Sequence, residues 1–469
     1  MLGPPPQKRW IIMAFAASAT ASLIGASVSY TWDVSDGVAV SLVALGGIVG
    51  LTIIPNRWGP CRFFPSPAQR EKVPAYPRAD EGSSTSAGSP HPAPKTAPPS
   101  PGGRREGTRG KAQALLPVLA ALALRIPWLF APPAFSDDVY RYVWEGRVWA
   151  AGFNPFALAP ADPMLAALTP SNLAIWERVN HPEVSSIYPP LAQALFVILA
   201  PGGVLAWKIA AMVADLGTVG LLARRSPRAG WLWALLPLPA LESAGSGHLE
   251  AFGVLFLVAT LSAEATGRPR LALAAAWAGA MVKLLPGAGV LALAKGWRAW
   301  LTVGGASLLV FAPMWTSELL RGFQTYRATW SFNGSLYPLL AAGVGSELAR
   351  GALQVVGAGV VGGVWWRTRS RPNATWAVLM AATGGFVLLS PTVHPWYVLW
   401  PLAVALWGGG GGGWLLAAVL VPLAYRVLGT LMGGVWTEEA VTRWVIWGPV
   451  WGMLGVEALG RSLRATPRR

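Results

Sequence analysis

The chain has 469 residues, of which 53% are apolar and 12% are charged, and its mean hydropathy is +0.45. A soluble protein needs more polar surface than this, so the composition predicts a polytopic membrane protein. The single cysteine, Cys61, excludes an internal disulfide and a thiolate metal cluster. The net charge of +16 comes from basic residues in short loops beside apolar runs. That pattern is typical of topology signals and of contact with membrane lipid, so we expect no nucleic-acid partner.

Apolar runs recur along the chain, many of them close to the length of about 20 residues that a membrane-spanning helix needs. They predict an all-α fold of about 13–14 transmembrane helices with a large first outer loop. Several runs are shorter than a full span, which is typical of helices that are broken, tilted or covered by neighbours. The candidate spans are residues 10–30, 38–54, 112–131, 204–223, 231–241, 249–263, 271–282, 284–294, 299–313, 348–366, 374–389, 396–407, 414–432 and 441–459.

Basic residues in alternate loops orient these helices by the positive-inside rule. If the N-terminus is cytoplasmic, the basic loops all fall on the cytoplasmic side. This topology requires residues 191–200, a short apolar run between proline-containing turns, to form a re-entrant or interfacial helix that does not cross. If that run does cross, every later loop is inverted, and Arg224 and Arg225 face outward.

Composition also divides the chain into parts. Residues 1–54 are predicted to form an appended transmembrane hairpin rather than a cleaved signal peptide. Residues 55–111 are rich in Pro, Ser and Gly, which indicates a disordered cytoplasmic linker. Residues 112–460 are predicted to be the main membrane module, with the outer loop at residues 132–187, and residues 461–469 a basic cytoplasmic tail.

Two adjacent carboxylates, Asp137 and Asp138, follow directly after an apolar span. Acidic residues near a bilayer core are costly and usually have a function. In the predicted topology, polar residues from distant parts of the chain fall on the same outer side, as an active site at a membrane surface requires. These residues are Arg141, Tyr142, Glu145, Arg147, His181, Glu183, Glu242, His248, Glu250, Lys283, Arg321, Arg327, Asn333 and His394.

Short motifs follow one another along these outer segments. They are DVYRYVWEGR at residues 138–147, GFNPF at 152–156, IYPPL at 187–191, GHLE at 247–250, KLLP at 283–286 and HPWY at 394–397. Together they resemble the GT-C glycosyltransferases, in particular the bacterial polyprenyl-phosphate-mannose-dependent mannosyltransferases and the related family 87 enzymes. The resemblance covers residues 112 to about 459. Glu250 stands where the family more often has Asp, and the first two predicted helices lie outside the pattern.

The resemblance implies transfer of a sugar, mannose in the most similar enzymes, from a polyprenyl phosphate to a hydroxyl of a glycan or glycolipid. It implies inversion at the anomeric carbon, no metal or other cofactor, and a site on the periplasmic side of a bacterial inner membrane. Because a hydroxyl is a poor nucleophile, a base must take its proton. Asp138, which directly precedes Val-Tyr, is the expected base, with Asp137 as the alternative. The expected substrate-binding residues are Arg141, Tyr142, Arg147, His248, Glu250, Lys283, His394 and Tyr397. Among them, Arg141, Arg147, Lys283 and His394 are the expected cations that stabilise the departing phosphate.

Each assignment has a structural alternative. The acidic pair could cap the helix that follows it, and Lys283 could extend to the membrane interface. Trp396, Tyr397 and Trp400 could belong to an aromatic belt at the membrane boundary. At the level of function, one alternative is a transporter or lipid flippase, which predicts ionisable residues near the bilayer midplane and two related halves. The other is an O-antigen-type ligase or polymerase, which uses lipid diphosphate donors.

Overall fold

Every regular element in the described part of the chain is helical. The computed structural model describes residues 102–465 apart from 134, 373 and 429–435. The predicted hairpin and most of the predicted linker lie outside the described residues. Among the described residues, extended pairing is limited to isolated bridges from Thr392 to Phe332 and Asn333. The predicted all-α fold class is confirmed.

The helices are numbered α1 to α18 in chain order, and 3-10 turns join several of them. Their bounds are α1 Gly102–Phe130, α2 Asp138–Ala150, α3 Leu173–Trp176, α4 Pro190–Leu199, α5 Gly203–Arg225, α6 Pro227–Leu235, α7 Pro237–Ala240, α8 Glu250–Ala265, α9 Pro269–Val282, α10 Ala288–Leu293, α11 Trp297–Phe311, α12 Arg321–Thr329, α13 Tyr337–Val344, α14 Ser346–Thr368, α15 Ala374–Leu389, α16 Leu399–Trp407, α17 Gly412–Leu420 and α18 Ala440–Ala465. Helices α5, α8, α9, α11, α14 and α15 match predicted spans to within a few residues. Helix α1 begins earlier than predicted, inside the segment assigned to the linker.

Proline divides several predicted spans into shorter helical pieces. The residue before a proline favours extended backbone, and Leu236 before Pro237 and His394 before Pro395 have ψ angles of 130° and 153°. Lys283, directly after α9, is also extended, with ψ of 141°. The helix breaks therefore place Lys283 and His394 on irregular backbone, which survives at membrane depth only where protein or a cavity covers it.

The outer loop between α1 and α5 carries helices of its own. Helix α2 packs along α4, where the rings of Tyr142 and Phe196 stack with their centroids 4.9 Å apart. This close approach depends on Gly146, because a Cβ atom there would lie 2.2 Å from the carbonyl oxygen of Phe196. Helix α4 has 10 residues, so it is about 15 Å long, half the thickness of a hydrocarbon core. Its length favours the predicted re-entrant or interfacial helix, which stays a prediction.

Within the described residues, two helical stretches are long and apolar enough to cross a membrane, judged by length and composition. They are Pro190–Arg225, which joins α4 and α5, and α14. Helix α11 also exposes apolar side chains, with Leu301 64% and Leu309 75% accessible. Large exposed apolar surface of this kind is typical of a protein that contacts lipid. These features agree with an all-α membrane protein, while the number of about 13–14 transmembrane helices stays a prediction.

A buried ion pair joins α1 to α5. Arg125 donates through Nε to the Asp215 carboxylate at 2.5 Å, and the two side chains are 0% and 3% exposed. Trp233 of α6 donates to the other oxygen of Asp215 at 2.7 Å. Buried charges are tolerated only when they are paired and hydrogen-bonded, so this network ties the three helices together. It lies outside the cavity described below.

The contact of α2 with α4 can be tested with two glycines. Gly146→Ala is expected to destabilise the protein by about 1–3 kcal/mol, because the added methyl group collides with backbone that must move. Gly362 in α14 has no atom within 4 Å of a built Cβ, so Gly362→Ala is expected to be neutral or slightly stabilising. Thermal unfolding of the detergent-solubilised variants measures both effects. Equal melting temperatures for the two variants would contradict the packing described for α2 and α4.

Candidate active site

A cavity of about 280 Å³ lies where the outer loop meets several helix ends. This volume is near the lower end for small-molecule sites. The cavity gathers residues that are far apart in sequence and that the predicted topology had placed on one side of the membrane. Its wall includes most of the predicted site residues, namely Asp137, Asp138, Arg141, Lys283, His394 and Tyr397.

The Asp138 carboxylate is held by polar groups on two sides. Asn180 donates to Oδ1 at 2.6 Å, and the hydroxyl of Tyr142 lies 3.4 Å from Oδ2. The nearest nitrogen of His248, Nδ1, lies 3.6 Å from the same Oδ2. The Asp138 side chain is 21% exposed. A carboxylate that is fixed yet open to a cavity has the geometry of a general base.

Asp137 occupies the N-cap position of α2, but its side chain makes no capping hydrogen bond. The alternative in which the acidic pair serves as a helix cap therefore lacks the hydrogen bond that defines such a cap. Burial raises the pKa of Asp137, the neighbouring charge of Asp138 raises it further, and Arg178 opposes both. The two carboxylates thus sit in different environments, and Asp138 is the one that faces Asn180 and His248.

Arg141 secures the loop that carries Asn180. Its guanidinium donates to the Glu145 carboxylate at 2.9 Å and to the backbone carbonyls of Asn180, His181 and Val184. His181 has a φ of 45°, an uncommon left-handed conformation that this clamp stabilises. Although Arg141 lines the cavity, these contacts engage every nitrogen of its guanidinium. Its main contribution in this structure is to position the loop.

Arg147 is not brought to the cavity. It donates to the side-chain carbonyl of Asn172, near the far end of α2. Nine helical positions separate Arg147 from Asp138, which corresponds to about 14 Å along the helix axis. The predicted contact of Arg147 with a phosphate therefore has no support from its position.

Lys283 and Glu250 form an ion pair at the cavity wall. Lys283 Nζ lies 2.5 Å from Glu250 Oε1, with the side chains 23% and 0% exposed. The ammonium group also lies 5.3 Å from the centre of the Tyr397 ring, whose hydroxyl is 3.1 Å from that of Tyr326. Lys283 does not extend toward the membrane interface, as the structural alternative predicted, because its ammonium group contacts buried Glu250 inside the protein. Among the described residues, Lys283 is the single lysine in the cavity wall.

Two histidines stack on one indole. The ring centroids of His248 and His394 lie 3.8 Å and 4.4 Å from the ring centroid of Trp396, and the interplanar angles are 28° and 2°. Burial lowers the pKa of both imidazoles, in the case of His394 to about 3. His394 is therefore neutral near pH 7 and contributes a hydrogen-bonding group to the cavity rather than a charge. Trp396 and Trp400 are 6% and 0% exposed, so they pack inside the protein and not in a boundary belt.

Sequence reasoning missed several residues of the site. Asn180, Tyr326 and Tyr425 line the cavity, yet they belong to no motif. The one available signal for Asn180 was its place beside His181 in the outer loop, and Tyr425 was a single hydroxyl inside an apolar run. Among the described residues, no group of three or more His, Cys, Asp or Glu side chains is arranged to hold a metal ion.

Two family models match the chain in succession. One is described as "Alpha-(1->6)-mannopyranosyltransferase, N-terminal domain" and matches residues 103–300. The other is described as "MptB C-terminal domain" and matches residues 341–428. The first contains Asp138, His248 and Lys283, and the second contains His394 and Tyr397. No solved structure matches the chain.

Curated relatives carry related names. The chain is 25% identical over 335 residues to alpha-(1->6)-mannopyranosyltransferase A of Mycobacterium tuberculosis, a match that covers 60% of this chain and 62% of that protein. It is 26% identical over 358 residues to a probable alpha-(1->6)-mannopyranosyltransferase of Mycolicibacterium smegmatis, covering 60% and 63%. It is 27% identical over 353 residues to alpha-(1->6)-mannopyranosyltransferase B of Corynebacterium glutamicum, covering 60% and 57%. The match thus spans less than two thirds of the length of each relative.

The family matches and the cavity concern the same part of the chain. The two models match its outer loop and most of the helix ends that line the cavity, and they occur in the order that the family names imply. The resemblance to bacterial mannosyltransferases that the motifs predicted is confirmed. The chain is similar to the alpha-(1->6)-mannopyranosyltransferases over residues 103–300 and 341–428, the part that carries most of the cavity wall.

Proposed function

We propose that the protein is an inverting mannosyltransferase that moves mannose from a polyprenyl phosphate to a hydroxyl of a glycan or glycolipid. The names of the relatives support the sugar and the reaction class. The observation that carries the proposal is that a cavity of about 280 Å³ has both the Asp138 carboxylate and the Lys283 ammonium in its wall. Such a site combines a base for an acceptor with a cation for a leaving phosphate.

In the proposed reaction, the acceptor oxygen attacks the anomeric carbon of mannose. Asp138 takes the proton of the acceptor hydroxyl as the new bond forms. The bond from the anomeric carbon to the phosphate oxygen breaks on the opposite side, and its electron pair leaves with the lipid phosphate. Attack opposite to the leaving group inverts the anomeric configuration.

The departing phosphate carries negative charge that must be stabilised in a site of low dielectric. Lys283 is the proposed cation, with neutral hydrogen-bond donors from His394, Tyr326 and Tyr397, all in the cavity wall. One ammonium group suits a lipid monophosphate better than a diphosphate. Arg141 and Arg147, which are engaged elsewhere, are not assigned to the phosphate.

The lipid tail determines the proposed location. A polyprenyl donor cannot leave the bilayer, so the cavity must open beside the membrane. We place the protein in a bacterial cytoplasmic membrane with the cavity on the extracytoplasmic side, as the positive-inside rule predicts. Residues 112–460 are the proposed catalytic module.

Conservative changes of the acidic residues test the proposed base. Asp138→Asn is expected to lower kcat by about 10²–10⁴, because the amide cannot take the acceptor proton. Asp137→Asn is expected to lower kcat much less. Asp162 lies in the same loop, where its side chain accepts from the backbone N–H of Met164 at 2.9 Å. Asp162→Asn is the matched control, since asparagine caps equally well.

Transfer of radiolabelled mannose from a polyprenyl phosphate by the purified protein measures these effects. Full activity of both Asp137→Asn and Asp138→Asn would contradict the proposed base. A wild-type protein that uses only lipid diphosphate donors would favour the ligase alternative. One that carries lipid across a vesicle membrane without transferring sugar would favour the flippase.

A paired substitution separates two roles of Lys283. Lys283→Gln alone leaves the buried Glu250 carboxylate without its cation and is expected to destabilise the protein. The double variant Lys283→Gln with Glu250→Gln removes both charges and is expected to fold. Its kcat should still be lower by about 10²–10³, because the phosphate has lost its cation. Lys295→Gln, an exposed lysine outside the cavity, is the control. Wild-type kcat in the double variant would show that Lys283 serves only to neutralise Glu250.

Cysteine labelling tests the membrane orientation. In a Cys61→Ser background, Ser171→Cys in the outer loop and Thr266→Cys between α8 and α9 introduce single thiols at exposed positions. A membrane-impermeant maleimide is expected to label Ser171→Cys in intact spheroplasts and Thr266→Cys only after permeabilisation. Labelling of both in intact spheroplasts would mean that residues 191–200 cross the membrane.

A further inference from the structure

Three buried polar atoms beside Asp138 have no hydrogen-bond partner among the described residues. They are Nδ1 and Nε2 of His248 and Oε2 of Glu242. His248 Nδ1 lies 3.6 Å from Asp138 Oδ2, and His248 Nε2 lies 3.5 Å from Glu242 Oε2. Unpaired buried polar groups are costly, and a contraction of about 0.5 Å would bring both pairs to hydrogen-bond distance. Catalytic hydrogen bonds are often long before substrate binds.

The groups on both sides of His248 hold it in this orientation. Its ring stacks on Trp396 at 3.8 Å. On the far side, Tyr425 donates to Glu242 Oε1 at 2.8 Å, which leaves Oε2 directed at His248. The three residues His248, Glu242 and Asp138 thus lie in a row that leads from the interior to the cavity.

The protonation states follow from this arrangement. Burial, together with the charge of Lys283, lowers the pKa of His248, so the imidazole is neutral, with one N–H and one accepting nitrogen. An ionised Asp138 only accepts hydrogen bonds, so the N–H belongs on Nδ1. Nε2 then accepts and needs a donor. Glu242 is 1% exposed, and His248 is its one partner at ion-pair distance among the described residues, so the neutral acid is its cheaper form.

We propose that Glu242 and His248 are positioning residues for Asp138, in which the carboxylic acid of Glu242 donates to Nε2 and Nδ1–H donates to Asp138 Oδ2. With Asn180 on Oδ1, this pair fixes the plane of the Asp138 carboxylate toward the acceptor hydroxyl. The role differs from the substrate contact expected for His248, because its side chain is 0% exposed and lies behind the cavity wall. The effect of this pair on catalysis rests on the proposed function. The tautomer of His248 follows from its contacts with Asp138 and Glu242 and is independent of the reaction.

The tautomer can be measured without a substrate. Nitrogen-15 NMR of the histidine-labelled full-length protein at pH 7 distinguishes the two neutral tautomers, and the His248→Asn spectrum identifies the His248 signals among the 4 histidines. We expect the Nδ1–H tautomer in the wild type and in Glu242→Gln, whose amide still donates to Nε2. In Glu242→Leu, which has no donor, we expect the Nδ1–H tautomer to persist, because Asp138 still accepts from Nδ1, and the nitrogen-15 signal of Nε2 to shift, because Nε2 loses its hydrogen bond. A wild-type protein with Nε2–H would overturn the proposal, even if the enzyme transfers mannose.

Kinetics then test the effect on Asp138. Glu242→Leu is expected to lower kcat by about 10–100-fold with little change in the KM for the donor, the size expected for a lost positioning contact. Glu242→Gln should stay close to wild type. His248→Asn should retain more activity than His248→Gln, because the asparagine amide nitrogen lies near the place of Nδ1 and the glutamine amide near that of Nε2. A residue that only filled space against Trp396 would show the reverse order.

Glu264→Gln is the matched control. The Glu264 carboxylate accepts a hydrogen bond of 2.6 Å from Thr375, and Glu264 does not line the cavity. This substitution should leave kcat unchanged. Thermal unfolding of each variant identifies any loss that comes from misfolding. Wild-type kcat in Glu242→Leu would overturn the positioning role. If the wild type transfers no sugar from a lipid monophosphate, the proposed function fails, and the NMR tautomer still decides between the two arrangements of His248.

Discussion

The hydrogen bond from Asn180 to the Asp138 carboxylate ties the beginning of α2 to the end of the outer loop, and the cavity depends on it. A carboxylate in a largely apolar surrounding is stable only with such partners. Arg141 secures the same loop through backbone carbonyls. Lys283 and His394 line the same cavity from helix breaks far along the chain, so the loop and the breaks must meet before the site exists.

Much of this arrangement could be predicted from the sequence. The length and composition of the apolar runs predicted the all-α membrane fold, and alternating basic loops put Asp138, Lys283 and His394 on one side. Runs shorter than a full span predicted helices that are broken, tilted or covered by neighbours, and helix breaks are the elements that place Lys283 and His394. These features could be predicted because helix length, proline geometry and charge asymmetry are determined by residues that are close together in the sequence.

Other features depend on contacts that no periodic pattern encodes. Both Arg141 and Arg147 carry the charge that a phosphate needs, yet loop carbonyls and Asn172 engage them instead. The choice of partner depends on the path of an irregular loop, which residue spacing does not predict. For Trp396, the sequence also allowed a place in an aromatic belt at the membrane boundary, but its ring is buried against two histidines. The same limit applies to Asn180, whose importance arises only from its distance to Asp138.

In the proposed reaction, Asp138 and Lys283 act on opposite sides of one sugar. The most direct test is a cryo-EM structure of the full chain with an unreactive phosphonate analogue of polyprenyl-phosphate-mannose. We expect the phosphonate within hydrogen-bond distance of Lys283 Nζ. The anomeric carbon should lie between the phosphonate and the Asp138 carboxylate, with space for an acceptor oxygen beside that carboxylate. A phosphonate bound outside this cavity, or on the same side of the sugar as Asp138, would contradict the account.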